Sequence, residues 1–131
     1  MHSDPIADLL TRIRNGYRAG LATVECTHTK IKEEIVRILK EEGLIADFEY
    51  VKKGKFPSLR VHLRYDADRR PILREIRRIS MPGLRVYKPS AELTPVRSGM
   101  ATQIVSTNIG LMTDREARRR RVGGEVICEV W

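Results

Sequence analysis

The stretch that most constrains the fold is the last quarter of the chain, residues 104–131, which reads IVSTNIGLMTDREARRRRVGGEVICEVW. Ile104 and Val105 run into Ser106, Thr107 and Asn108, three small hydrogen-bonding side chains with Gly110 just beyond. Thr113 and Glu116 fit a T-x-x-E capping box, in which the threonine hydroxyl accepts from an amide three residues on, so a helix should start at Asp114. That helix carries Arg115 and Arg118 to Arg121, and Gly123-Gly124 should stop it and fix where the last strand begins. Val126, Cys128 and Val130 then alternate with Glu125, Ile127 and Glu129, the period of a half-buried strand. Strand, polar turn, short helix and terminal strand within so few residues leave room only for a small sheet carrying one helix.

The rest of the chain reads in the same terms. Asp4 suits an N-cap and Pro5 the first helical position, and Ile6, Leu9, Leu10, Ile13 and Tyr17 fall on one face. Asn15-Gly16 or Gly20 should end this helix. Residues 21–27 form a short strand with Val24 and Cys26 facing one way. Thr29 caps a second helix with the apolar face Ile31, Ile35, Ile38 and Leu39, closed by Gly43. A hairpin follows, with strands over 44–51 and 58–65 around Lys52-Lys53-Gly54-Lys55. In its second strand Leu59, Val61, Leu63 and Tyr65 face inward while Arg60, His62 and Arg64 face out. The helices should cover one face of this sheet and leave the other to solvent or RNA. Residues 71–79 fit helical spacing on pattern alone.

Ser80-Met81-Pro82-Gly83 breaks both periodicities and marks the expected domain boundary. Beyond it come a strand over 84–87, an irregular stretch from Pro89 to Pro95 with one helical turn begun at Ser90, and a strand over 100–106. The predicted fold class is α+β in two small parts. Residues 1–80 form an α-β-α-β-β unit with a three-stranded sheet, and residues 81–131 a mainly β part with one short helix.

Composition narrows the function. With 25 Lys+Arg against 17 Asp+Glu the chain carries a net charge of +8 over 131 residues, which favours polyanions through release of their condensed counterions. An acidic lipid surface or simple solubility would also account for that charge. No run approaches the roughly 18 apolar residues that span a bilayer. The start MHSDPIADLL has neither a basic region followed by an apolar one nor a transit-peptide character, so a soluble cytoplasmic protein with no membrane partner is expected. Cys26 and Cys128, each in an apolar strand-like setting, read as buried free thiols, and zinc would need more ligands at closer spacing.

His2, His28 and His62 lack motif-spaced carboxylate and nucleophile partners. Glu33-Glu34 and Glu41-Glu42 are the wet face of a helix, and no phosphate-binding loop occurs. No catalytic residue, metal site or cofactor is therefore assigned, and an enzyme is not expected.

RNA recognition has better physical grounds, because reading RNA requires short polar side chains on rigid backbone. Ser106, Thr107 and Asn108 supply such groups, and Gly110 permits close backbone approach, although residues of this kind favour turns in any case. Arg85 and Tyr87 alternate on one strand face, where Tyr87 either stacks on an unpaired base or packs at the strand edge while Arg85 meets phosphate. Arg115 and Arg118 to Arg121 suit phosphate contacts, which position without specifying. Glu125 suits a carboxylate that accepts from base amines or orients neighbouring arginines. Arg14 on the first helix reads first as solvated surface, and Lys30 and Lys55 are weaker candidates.

At these residues the chain resembles a known family. STNIGLMTDREAR and VGGEVICEVW are similar to the C-terminal signature of bacterial-type ribosomal protein S8, of the small subunit. DPIADLLTRIRNG, KIKEEIVRILKEEG and SMPGLRVY agree in order and spacing, so the resemblance covers essentially the whole chain. It implies a structural, primary RNA-binding constituent of the small ribosomal subunit that binds the central domain of small-subunit ribosomal RNA and helps assemble the subunit platform.

Neighbouring small-subunit ribosomal proteins are implied partners, and so is a similar fold in the chain's own messenger, with translational repression or general RNA binding as the alternative role. The resemblance also implies a strand within residues 71–79, raises Arg14 within the RIRN block, and makes the turn after residue 105 the centre of RNA binding. The family's usual turn is Ser-Thr-Ser-Lys-Gly. Here Asn108 keeps a serine's donor and acceptor, but Ile109 cannot replace a lysine's charge, a loss the run Arg118 to Arg121 should partly offset.

Overall fold

The computed structural model of the protein describes residues 4–131, so His2 lies outside the described residues. The chain forms two compact units, which divide after Arg74.

In the N-terminal unit, Asp4 caps helix α1 (Pro5–Arg18) by accepting from the Ala7 amide at 3.1 Å, and Pro5 fills the first turn. Ile6, Leu9, Leu10, Ile13 and Tyr17 are buried as their spacing predicts. Gly16 does not end the helix. It lies inside it, where a Cβ would come within 2.4 Å of Val24 Cγ1, so the missing side chain lets strand β1 (Thr23–Thr27) pack against the helix. Thr29 caps helix α2 (Lys30–Glu41), which buries Ile35, Val36, Ile38 and Leu39.

Strands β2 (Asp47–Lys53) and β3 (Phe56–His62) form a hairpin around Gly54, whose φ of +68° suits glycine. The three-stranded sheet has the order β1-β3-β2 and is antiparallel throughout. Val24, Val61 and Phe48 lie opposite one another on the side that meets the helices. On the open face Arg60 reaches Glu25 at 2.7 Å and Glu49 at 3.2 Å, and His62 meets Glu49 at 3.1 Å. Glu25 and Glu49 thus answer Arg60 there, while Asp47 pairs with Lys40 at 2.9 Å.

Lys32 is a buried cation. It sits on α2 among charged neighbours, yet only 3% of its side chain is exposed. Its Nζ donates to Asp8 Oδ2 at 3.1 Å and to the Thr27 carbonyl and hydroxyl, each at 3.2 Å.

The C-terminal unit holds a five-stranded antiparallel sheet of β4 (Ile76–Arg78), β5 (Tyr87–Lys88), β6 (Thr102–Thr107), β7 (Gly110–Thr113) and β8 (Gly124–Val130). Its order is β4-β8-β6-β7, and β5 pairs with the start of β8. Two 3-10 turns, Ser90–Glu92 and Arg97–Gly99, and helix α3 (Asp114–Arg120) complete it. Leu93, Val105, Met112, Ala117 and Val126 form the core, with Ile79 and Val122 packed against it.

Four expectations change here. The boundary falls before Glu75 rather than at Ser80–Gly83, because β4 pairs with residues 128–130 of β8 and so belongs to the second unit. Within 71–79 only Ile76–Arg78 is strand. The strand expected over 84–87 is reduced to Tyr87–Lys88, because Met81 and Leu84 close a turn around Pro82-Gly83 by exchanging backbone hydrogen bonds of 3.0 and 2.9 Å.

Finally, β8 is not half-buried. Every residue from Val126 to Val130 is buried, because the strand is central. Ile104 pairs with Cys128 and Val105 with Val126, leaving Ile127 as the extra residue of a bulge that shifts the alternation.

The glycine pair also acts differently from a helix stop. Thr113 does cap α3, accepting from the Glu116 amide at 3.2 Å. The helix ends, however, on Arg121 in the left-handed conformation (φ 56°), before either glycine. A Cβ on Gly123 would lie 2.4 Å from the Lys88 carbonyl oxygen, and one on Gly124 only 2.1 Å from that of Ser106. The pair is required by the close approach of β5 and β6.

Candidate nucleic-acid interface

Three strands bring the predicted residues of the second unit into register. Tyr87 lies opposite Glu125, Glu125 opposite Ser106, and Ser106 opposite Leu111. Directly opposed residues share a sheet face, so Tyr87, Glu125 and Ser106 form one row across β5, β8 and β6. Tyr87 is 68% exposed, which removes the reading of a tyrosine packed at the strand edge.

The Glu125 carboxylate accepts from Arg85 Nη1 at 3.0 Å and from the Ser80 hydroxyl. Ser80 Oγ in turn accepts from the Val86 amide at 3.2 Å. Glu125 therefore orients Arg85, one of its two expected roles. Ser80 is a supporting residue that sequence reasoning treated only as part of a breaker. Its polarity inside a Pro-Gly turn carried no signal of the carboxylate 45 residues away.

The next row is Lys88, Gly124, Thr107 and Gly110. Its two glycines leave bare backbone beside the turn, and Gly110 sits at φ +118°, a conformation that favours glycine. Thr107 locks that turn by donating its hydroxyl to the Gly110 carbonyl at 2.8 Å and accepting from the Ile109 amide at 3.1 Å. With that hydroxyl committed internally, outward contacts fall to Ser106, Asn108 and the backbone. Asn108 is exposed at the tip beside Ile109, which is 54% exposed.

Helix α3 divides its arginines between two jobs. Arg118 Nη1 donates to Asp114 Oδ2 at 2.6 Å and to the Leu93 carbonyl at 3.1 Å, clamping the helix to the end of the Ser90–Glu92 turn. Asp114 is itself buried and accepts from the Gln103 amide at 3.0 Å. Arg119 and Arg120 both meet Glu116, at 2.5 and 2.6 Å. Arg115, Arg119, Arg120 and Arg121 are all exposed, and only Arg118 is half-buried. Asp114 and Glu116 answer part of this charge, and residues 114–121, with five arginines against these two carboxylates, remain net positive.

Hydrogen bonds from Arg119 and Arg120 hold the Glu116 carboxyl down at about 2, against an ordinary 4.5. A carboxyl depressed in the fold stabilises it fully above its unfolded value and loses that contribution as pH falls through the folded value. The α3 pairing should thus persist through pH 4.5 and disappear only towards pH 2. An NMR titration of the Glu116 side chain reads this directly, and a midpoint near 4.5 would contradict the pairing.

Arg14, Lys30 and Lys55 all belong to the N-terminal unit. Arg14 is half-buried on α1 and engaged within the fold. Lys30, in the first turn of α2, and Lys55, in the β2–β3 turn, are exposed. The His28 amide donates to the Pro57 carbonyl at 3.0 Å, which places the start of α2 at the hairpin end of the sheet.

His28 lies 3.6 Å from Glu33 and His62 pairs with Glu49. Cys26 and Cys128 are free and buried, and burial pushes the Cys128 thiol up to about 12. Among the described residues no cluster of three or more His, Cys, Asp or Glu is placed to hold a metal, and no helix is long and apolar enough to cross a membrane.

The chain is a small α+β protein whose row of Tyr87, Glu125 and Ser106 lies on an open strand-and-turn surface. A family model described as ribosomal protein S8 matches residues 4–131. The small ribosomal subunit protein uS8 of Syntrophomonas wolfei is 48% identical over 129 residues, 98% of each chain. That of Kosmotoga olearia is 48% identical over 134 aligned positions, covering all of both chains, and that of Leuconostoc mesenteroides is 50% identical over 129, again 98% of each. The chain belongs to the ribosomal protein S8 family. Its family is one of structural, non-enzymatic proteins of the small ribosomal subunit, and its place is the cytoplasmic ribosome.

Proposed function

We propose that the C-terminal unit binds the central domain of small-subunit ribosomal RNA, gripping an irregular internal-loop helix, while the N-terminal unit braces a neighbouring RNA segment. The observation that carries this reading is the row of Tyr87, Glu125 and Ser106 beside the Thr107-locked turn. Ser106 and Asn108 offer donors and acceptors to 2′-hydroxyls and base edges in a shallow groove. The exposed Tyr87 ring stacks on an unpaired base, and Arg85, held by Glu125, meets phosphate. Bare backbone at Gly110 and Gly124 lets the RNA approach closely. Arg115 and Arg121 add phosphate contacts, and Arg118 acts indirectly by fixing α3. Because the surface is held by sheet hydrogen bonds, its ordering cost is met on folding. It can then freeze a mobile RNA fold and prepare platform sites for neighbouring ribosomal proteins.

The test is binding to small-subunit ribosomal RNA fragments across a salt series, wild type beside Thr107→Ala and Thr107→Ser. Thr107→Ala removes both hydrogen bonds that lock the turn and should weaken binding to a central-domain fragment by about 1–3 kcal/mol, while Thr107→Ser should retain affinity. Equal and steeply salt-dependent binding to every fragment, indifferent to Thr107, would reduce the protein to a non-specific polycation.

A further inference from the structure

The N-terminal unit presents its largest exposed aromatic group where its lysines gather. Phe56 opens β3 opposite Lys53 and is 73% exposed, more than any other aromatic residue of the described chain. It shares a face with Ser58 and Arg60, but lies at the hairpin end. The carboxylates of that face, Glu25 and Glu49, stand opposite Arg60 and pair with it, four residues along the strand and roughly 13 Å away at strand rise. Around Phe56 the balance is reversed. Lys55 is exposed beside it in the turn, Lys52 is exposed on the other face of the hairpin opposite Pro57, Lys30 begins α2 at the same end of the sheet, and no acidic residue occurs between Tyr50 and Tyr65.

A bare phenyl ring has no hydrogen-bonding group, so an exposed one gains from an apolar or π surface only. Lysines around it favour an anionic partner. A nucleotide combines both, a π-face to lie on the ring and a phosphate for the flanking ammonium groups. An apolar protein side chain would use the ring but leave the lysines unanswered. A regular duplex would meet the lysines but offer the ring no free base face. The hairpin also holds the ring on paired backbone, so little conformational entropy is lost on stacking.

We propose that Phe56 is a stacking platform for an unpaired nucleotide of RNA, with Lys55 neutralising an adjoining phosphate. The inference rests on the RNA-binding reading above and deepens it. The N-terminal unit then engages a bulged or single-stranded nucleotide rather than bracing a backbone by charge alone.

The experiment uses the full chain and intact small-subunit ribosomal RNA, with affinity followed across a salt series for Phe56→Ala, Phe56→Trp and Lys55→Gln. Phe56→Ala should weaken binding about tenfold with an unchanged salt slope, the order that loss of one base–aromatic stack produces, and Phe56→Trp should restore it. Lys55→Gln should lower the salt slope by about one. Thermal melts of each variant verify that the fold is retained. If Phe56→Ala binds as wild type while Thr107→Ala is weakened, the stacking inference fails and the RNA-binding function stands. Stacking fails equally if Phe56→Ala impairs only association with other ribosomal proteins. If the wild type shows no preference for ribosomal over unrelated RNA, both fall together.

Discussion

Gly124→Ala is expected to unfold or severely weaken the C-terminal unit, at a cost of about 3 kcal/mol, the upper end of the usual range for overpacking. The added methyl would stand 2.1 Å from the Ser106 carbonyl oxygen and 3.1 Å from Thr107 Cα. Both obstacles are on the backbone of β6, so no side-chain rotation relieves the clash. Nor can β8 retreat, since Tyr87 and Lys88 pair with Glu125 and Gly124 on its other edge. Whatever sheet survives would carry Ser106 and Thr107 out of place, so RNA affinity should fall with stability. Hydrogen exchange resolved by residue distinguishes the two units: protection should drop across β6 and β8 and remain across β1 to β3. Wild-type protection throughout, with undiminished RNA binding, would show that the sheet yields in some other way.

The second large effect concerns Asp8 and Lys32, and it is asymmetric. Asp8 keeps 42% of its side chain exposed and also pairs with Arg12, whereas Lys32 keeps only 3%. Asp8→Ala therefore strands a buried ammonium with only the Thr27 carbonyl and hydroxyl for company, which should cost about 3 kcal/mol. Lys32→Met removes the buried charge itself, leaves Asp8 to Arg12 and water, and replaces the stem with an apolar one of similar length. It should be nearly neutral by comparison. Chemical denaturation of both variants measures the difference. If Lys32→Met is the more damaging of the two, the pair is a net stabiliser rather than a matched burial.

The features that were legible in the sequence are those decided locally. Asp4 with Pro5, Thr29, and Thr113 three residues before Glu116 each set a helix start through contacts within one turn, and all three caps form as expected. The α+β class followed from such signals and from the alternation in β3. The illegible features depend on partners distant in sequence. Lys32 is buried against Asp8, 24 residues away in the sequence. The phase of β8 slips at Ile127 because β6 dictates its register. Arg118 has the spacing of its basic neighbours but a different fate, since Leu93 and Asp114 claim it. In the candidate site, the residue types were readable, while the convergence of Tyr87, Glu125 and Ser106 needed the strand order, and Ser80 needed the fold itself.

The position of β8 has a consequence for how the chain comes into being during synthesis. This strand follows β4, β5 and β6 in the sequence, yet lies between them in the sheet. While the chain is being made, the N-terminal unit can close as soon as β3 and its flanking loop have emerged, because all its elements precede residue 75. The second unit has no such early option. Until β8 arrives, β4 and β5 have no neighbour to bond and β6 can form only its hairpin with β7. The C-terminal half of the molecule is thus the last to take shape, and it does so in a single closing step.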